Sequence, residues 1–126
     1  MNNAIQFSDF QKLDIRVGTV VSAEVPEWSH WVIKLIVDFG PEIEKRTVFA
    51  GMMKFYKPDE FLDKQFPFLI NITPKKIGPM GDFSEGMMLA VSTGNNEQET
   101  GNSEQAEALP VLLSPWKLVP NGTKVR

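Results

Sequence analysis

"IRVGTVVSAEV", Ile15 to Val25, decides how the rest of the chain is read. Ile15, Val17, Thr19, Val21, Ala23 and Val25 fall on one parity, and Arg16, Gly18, Ser22 and Glu24 on the other. That period-two alternation predicts a half-buried strand, with Gly18 as the place for a bulge or sharp bend. Working outward, "VIKLIVDF" sets Ile33, Leu35 and Val37 against Lys34 and Asp38, and the Gly-Pro-Glu at 40–42 ends it as a turn. A third strand is expected over Glu44 to Ala50. Pro58, Asp59 and Glu60 carry the N-terminal chemistry of one helical turn. "QFPFLINI" aligns Phe66, Phe68, Ile70 and Ile72 on one face of a fourth strand. "SEGMMLAVS" is the fifth, expected to turn Met87, Leu89 and Val91 inward. Five strands with a short helix between the third and fourth match the plan of an all-β, five-stranded OB-fold barrel. Small extensions flank it: a helical turn at Phe7 to Leu13 capped by Ser8 or Asp9, a short returning strand at Pro110 to Leu113, and a terminal turn "VPNGTK".

The 126 residues suit one domain, expected to span 1–126, and are enough to bury a core without staples. With 42% apolar and 23% charged residues the composition is that of a soluble globular protein. No cysteine is present, which excludes disulfides, thiolate metal sites and cysteine nucleophiles. No secretory pattern or membrane-spanning apolar run is found, so a cytoplasmic protein is expected. The net charge of −3 is unevenly distributed. Residues 93–108 hold Glu97, Glu99, Glu104 and Glu107 and no base, and read as a mobile acidic hairpin loop. The remainder is close to neutral and has room for a local basic face.

Catalytic constellations are missing. His30 is the only histidine, so a multi-histidine metal site is impossible. The carboxylates form no facing pair, and the glycines match no phosphate-cradling motif. No enzyme activity, metal or cofactor is expected. The informative signals are those of a binding surface.

Several phrases resemble the tRNA-binding domain family. They are "DIRVG" at 14–18, "KLIVDFG" at 34–40, "TVFAGMMKFYKPDEFLDK" at 47–64 and "NITPKKIGPMGDFSEGMMLA" at 71–90. The family includes the C-terminal domain of many methionyl-tRNA synthetases, stand-alone tRNA-binding proteins and the CsaA group of export chaperones. The resemblance implies an OB-fold that binds structured RNA, usually tRNA, and stand-alone members commonly act as homodimers. An aminoacyl-tRNA synthetase is an implied partner. These residues contain no synthetase body, so aminoacylation by this chain is not expected. One loop departs from the pattern. Tryptophan-rich "VPEWSHWVIKL" replaces the usual "HP.ADKL", is one residue longer and lacks its Asp-Lys pair. There the chain is more similar to the CsaA group, which implies unfolded or export-bound polypeptides as the alternative ligand.

On this reading affinity comes from cations meeting phosphates, and selectivity from stacking and edge contacts to bases. The candidate RNA-binding residues are Arg16, Lys34, Arg46, Asn71, Lys75, Lys76, Ser84, Glu85 and Met87. Lys45 belongs to the same cationic set. Lys75 and Lys76 form the strongest pair, since Pro74 and Gly78 hold them on an exposed loop. Glu85 can accept from a base or pin a neighbouring loop, and Met87 is either a groove contact or core. Trp28, His30 and Trp31 rim the binding face, and stacking on bases, an apolar peptide pocket and sealing of the barrel end all remain open for them.

Overall fold

The computed structural model describes residues 3–93 and 109–126. After a four-residue helix α1 (Phe7–Phe10) come strands β1 (Ile15–Glu24), β2 (Ile33–Asp38) and β3 (Lys45–Ala50). A 3-10 turn (Pro58–Glu60) precedes β4 (Gln65–Leu69). Then follow a small hairpin of β5 (Lys75–Ile77) and β6 (Asp82–Ser84), the two-residue β7 (Met87–Met88), and a second hairpin of β8 (Ala90–Thr93) and β9 (Leu109–Leu112). The main sheet has the order β3-β2-β1-β4-β7, antiparallel throughout.

The sheet curls until its two edges nearly meet. The free edge of β3 is met by Ser84 and Glu85, just before β7. Glu85 N–H donates to the Thr47 carbonyl at 2.8 Å. In return Thr47 N–H donates to Glu85 Oε1 at 2.9 Å, and Phe49 N–H to Ser84 Oγ at 3.0 Å. Side chains thus stand in for a missing ladder, satisfying edge amides that would otherwise be left open. The result is the five-stranded OB barrel expected from the strand pattern.

Inside lie Ile33, Leu35 and Val37 of β2, Val48 of β3, Phe66 and Phe68 of β4, and Phe39 beyond β2. The rings of Phe39 and Phe68 meet edge to face, with centroids 5.4 Å apart. The expected helix between the third and fourth strands is the single 3-10 turn. Glu60 caps it by accepting the Lys57 amide at 2.8 Å, and Phe61 behind it is fully buried.

Two parity expectations are corrected. In β1 the even positions Gly18 and Val20 face inward and Val21 is exposed, and the register shift between Val20 and Ser22 then turns Ala23 and Val25 toward the core. The first half of β1 pairs with β4 and the second with β2, and a bulge supplies the bend that this double duty requires. Gly18 serves close approach instead, since a β-carbon there would lie 2.5 Å from Val37 Cγ1. Ile15 and Val17 are buried although they face away from the barrel interior, where Leu113, Pro115 and Val125 flank them. The fifth strand is also broken. Met88 turns inward opposite Phe68, while Met87, opposite Leu69, and Val91 are exposed. The chain leaves the barrel at Leu89 to build the β8–β9 hairpin, which ends the alternation early.

The C-terminal segment is tied to the barrel. Val17 and Val125 donate to the Thr123 and Ile15 carbonyls, and buried Gln65 bonds the Val119 carbonyl at 2.6 Å. Tyr56 OH donates to the Pro110 carbonyl at 2.6 Å, anchoring β9. The acidic loop expected over 93–108 falls, from residue 94 onward, outside the described residues; Thr93 pairs with Leu109 at its base.

Candidate nucleic-acid interface

The outward face of β2 and β3 carries Lys34 opposite Phe49. Phe49 is covered from above by the loop between β1 and β2, and the sequence of that loop explains how. Buried Ser29 accepts the Trp31 and Val32 amides at 3.1 and 2.9 Å and donates to the Val32 carbonyl. This serine-centred turn throws the two tryptophans to different places. Trp28 is half-buried, 6.2 Å from the Phe49 ring and against the backbone of Gly78. Gly78 has φ +74, and a β-carbon there would fall within the Trp28 ring's contact envelope. Trp31 meets Trp28 edge to face at 6.1 Å and remains 51% exposed.

Between Trp31 and the β5–β6 hairpin runs a groove of about 240 Å³. Phe49, Ile72, Ile77 and Met87 make its walls, Lys75 and Thr73 stand at its rim, and Gly51 and Gly86 contribute bare backbone. Lys76 is exposed on the same hairpin, opposite Phe83. Neither Lys75 nor Lys76 forms an ion pair with a described residue; the described pairs are Lys12–Asp9 and Arg16–Asp14. The arrangement offers a cationic arm beside an apolar, partly aromatic trough. A larger open depression, about 870 Å³, is lined by Asp38, Glu44 and Lys45. Its two carboxylates repel phosphate, so its size does not make it the better anion site.

Of the expected residues, Lys75, Ser84, Met87 and Trp31 line the groove, Lys76 and Trp28 adjoin it, and Arg16, Arg46, Asn71 and Glu85 are engaged with other parts of the backbone. Ser84 is buried with its hydroxyl donating to the Gly86 carbonyl and accepting from Phe49, and Glu85 is engaged with Thr47. Arg46 lies on the inward parity opposite Val37 and donates to the Ile70 carbonyl at 2.8 Å. Arg16, opposite Phe68, bonds Asp14 at 2.6 Å and the Gly122 carbonyl at 3.0 Å. Asn71 clamps the chain ahead of β1, accepting Asp14 N–H at 2.8 Å and donating to the Lys12 carbonyl at 2.7 Å. His30 is exposed and lines no part of the groove. Phe49, Ile72 and Ile77 were not among the expected site residues. Phe49 carried a signal, since it alternates with core Val48; the contributions of Ile72 and Ile77 depend on how the hairpin folds back.

A family model described as "Putative tRNA binding domain" matches residues 15–123. The chain belongs to the tRNA-binding domain family. It is 39% identical over 122 residues to a methionine–tRNA ligase of Methanothrix thermoacetophila, covering 97% of this chain but 16% of that enzyme. The chain therefore spans about one sixth of the ligase relatives it matches. Among solved structures it is similar to a MetRS-related protein from Pyrococcus horikoshii, with 31% identity and a TM-score of 0.80. That match covers 98% of this chain and 99% of the other. It is also similar to the chaperone CsaA from Bacillus anthracis, with 33% identity, a TM-score of 0.75 and coverage of 98% and 99%.

Proposed function

We propose that this chain is a non-catalytic tRNA-binding protein that holds structured tRNA against the groove beside β5 and β6, as a cytoplasmic homodimer, with an aminoacyl-tRNA synthetase as a partner. The observation that carries this reading is the pairing of exposed Lys75 and Lys76 with an open groove in a chain of the tRNA-binding domain family. Phosphate contacts from the lysines supply sequence-independent affinity, and the barrel supplies a rigid surface that fits a folded RNA better than a flexible strand. A dimer is supported by the apolar side chains left outside the barrel. Trp116 is 96% and Leu118 84% exposed, next to the half-exposed β8–β9 hairpin, and an apolar surface of this kind favours a self-complementary two-fold contact.

Retention of tRNA at two salt concentrations tests the reading. Affinity should fall steeply between ~50 mM and ~200 mM salt, because each phosphate contact releases counterions. No retention at the lower concentration would exclude it.

The likeness to CsaA supports a second reading, in which the same apolar groove takes unfolded or export-bound polypeptide. Such binding should be nearly independent of salt and should suppress the aggregation of an unfolded client, with that suppression lost in Trp31→Ala.

A further inference from the structure

We infer that the groove beneath Trp31 is a receptor for one unpaired nucleobase, with Trp31 as its stacking platform. The inference rests on the RNA-binding reading above and adds to it which part of the RNA the groove takes. Trp31 is held ready on two sides. Its amide donates to Ser29 Oγ, its carbonyl accepts Met53 N–H at 3.2 Å, and its ring abuts Trp28. Half of the side chain nevertheless faces solvent, and with the exposed Ile72 and Met87 of the same groove it forms a joined apolar surface open to a ligand. The backbone beside it is bare. Gly51 lines the groove beside the ring, and a β-carbon there would only reach van der Waals contact with Trp31 Cδ1, at 3.8 Å.

Size and charge then select the occupant. At about 240 Å³ the groove is smaller than the ~300–1,000 Å³ of pockets that enclose drug-sized ligands, and it suits one planar ring. A base in the interior of a duplex already has both faces stacked, whereas an unpaired base can turn a face to Trp31 and enter the groove. Ile77 and Met87 supply apolar contact, the Thr73 hydroxyl at the rim can donate or accept at a base edge, and Lys75 meets the phosphate joined to that base. An apolar peptide side chain would use the walls but leave the cation without a counterpart.

Three RNAs of equal length separate the possibilities at low salt: a duplex with one bulged purine, the same duplex with an abasic residue at the bulge, and a perfect duplex. Each is titrated against the wild-type chain, Trp31→Ala and Trp31→Phe. The bulged purine should bind about 5- to 100-fold tighter than its abasic counterpart, the range that single-base stacking provides. Trp31→Ala should erase that preference, with an unaltered far-UV circular dichroism spectrum reporting that the barrel is intact. Trp31→Phe should retain part of it. Equal binding of bulged and abasic duplexes, with tRNA still retained, overturns the base receptor and leaves the tRNA-binding reading standing. Failure of all three duplexes and of tRNA removes both. If an apolar peptide binds and Trp31→Ala abolishes that binding while the bulge preference persists, the groove belongs to polypeptide and the inference falls.

Discussion

The Trp28 ring lies flat enough against Gly78 to leave no room for a β-carbon, and so fixes the hairpin that carries Lys75 and Lys76. Gly78→Ala adds a methyl at a position with φ +74 and against an aromatic ring. It should cost about 1–3 kcal/mol through strain and overpacking together. Urea unfolding would show this as a lower midpoint at unchanged slope. Trp28→Leu combined with Gly78→Ala should cost less than the sum of the single changes, since the shared contact is then counted once.

Glu85 closes the barrel by accepting the Thr47 amide. Glu85→Ala leaves that amide without its partner and should destabilise the fold by about 1–3 kcal/mol. Glu85→Gln keeps an amide oxygen at the same position and should lose less than half as much. A loss of RNA affinity in Glu85→Gln with stability intact would instead assign the carboxylate to the ligand.

Lys75→Glu with Lys76→Glu should weaken tRNA binding and lower the slope of log affinity against log salt by about two, one for each phosphate contact removed. The oligomeric state should not change. Fluorescence anisotropy across a salt series gives both quantities, and an unaltered slope would place the phosphate contacts elsewhere.

Trp116→Ser with Leu118→Ser removes two side chains that the barrel hardly contacts. Each change should alter the stability of the isolated barrel by no more than about 0.5 kcal/mol, as expected of an exposed position. Sedimentation equilibrium should nevertheless show the dimer dissociating. A dimer of unchanged strength would move the interface away from this segment.

Much of the fold was legible in the order of the strands, because alternation at 33–37 and 66–70 reports directly which side chains need a core. The candidate site was legible only in part. Lys75 and Lys76 announce themselves by their exposed Pro/Gly-rich loop, whereas the alternation of the fifth strand pointed Met87 inward and the structure exposes it. Arg16, Arg46 and Asn71 have the same polar character, yet they hold carbonyls and amides of distant segments. Nothing local distinguishes a guanidinium waiting for phosphate from one that already serves the backbone.

The two tryptophans show where the boundary lies. The strand pattern predicted a five-stranded barrel, the resemblance of its phrases implied the family, and the sequence offered a cationic loop and an aromatic loop at the rim. These signals left Trp28 and Trp31 equivalent, three residues apart in one turn. Tertiary structure separated them, because the Ser29-centred turn sends Trp28 over Gly78 and leaves Trp31 open to the groove. The physical reason is that burial depends on what a side chain meets across the fold. Gly78 lies fifty residues downstream of Trp28, and only the return of the β5–β6 hairpin over the β3 face brings the two together.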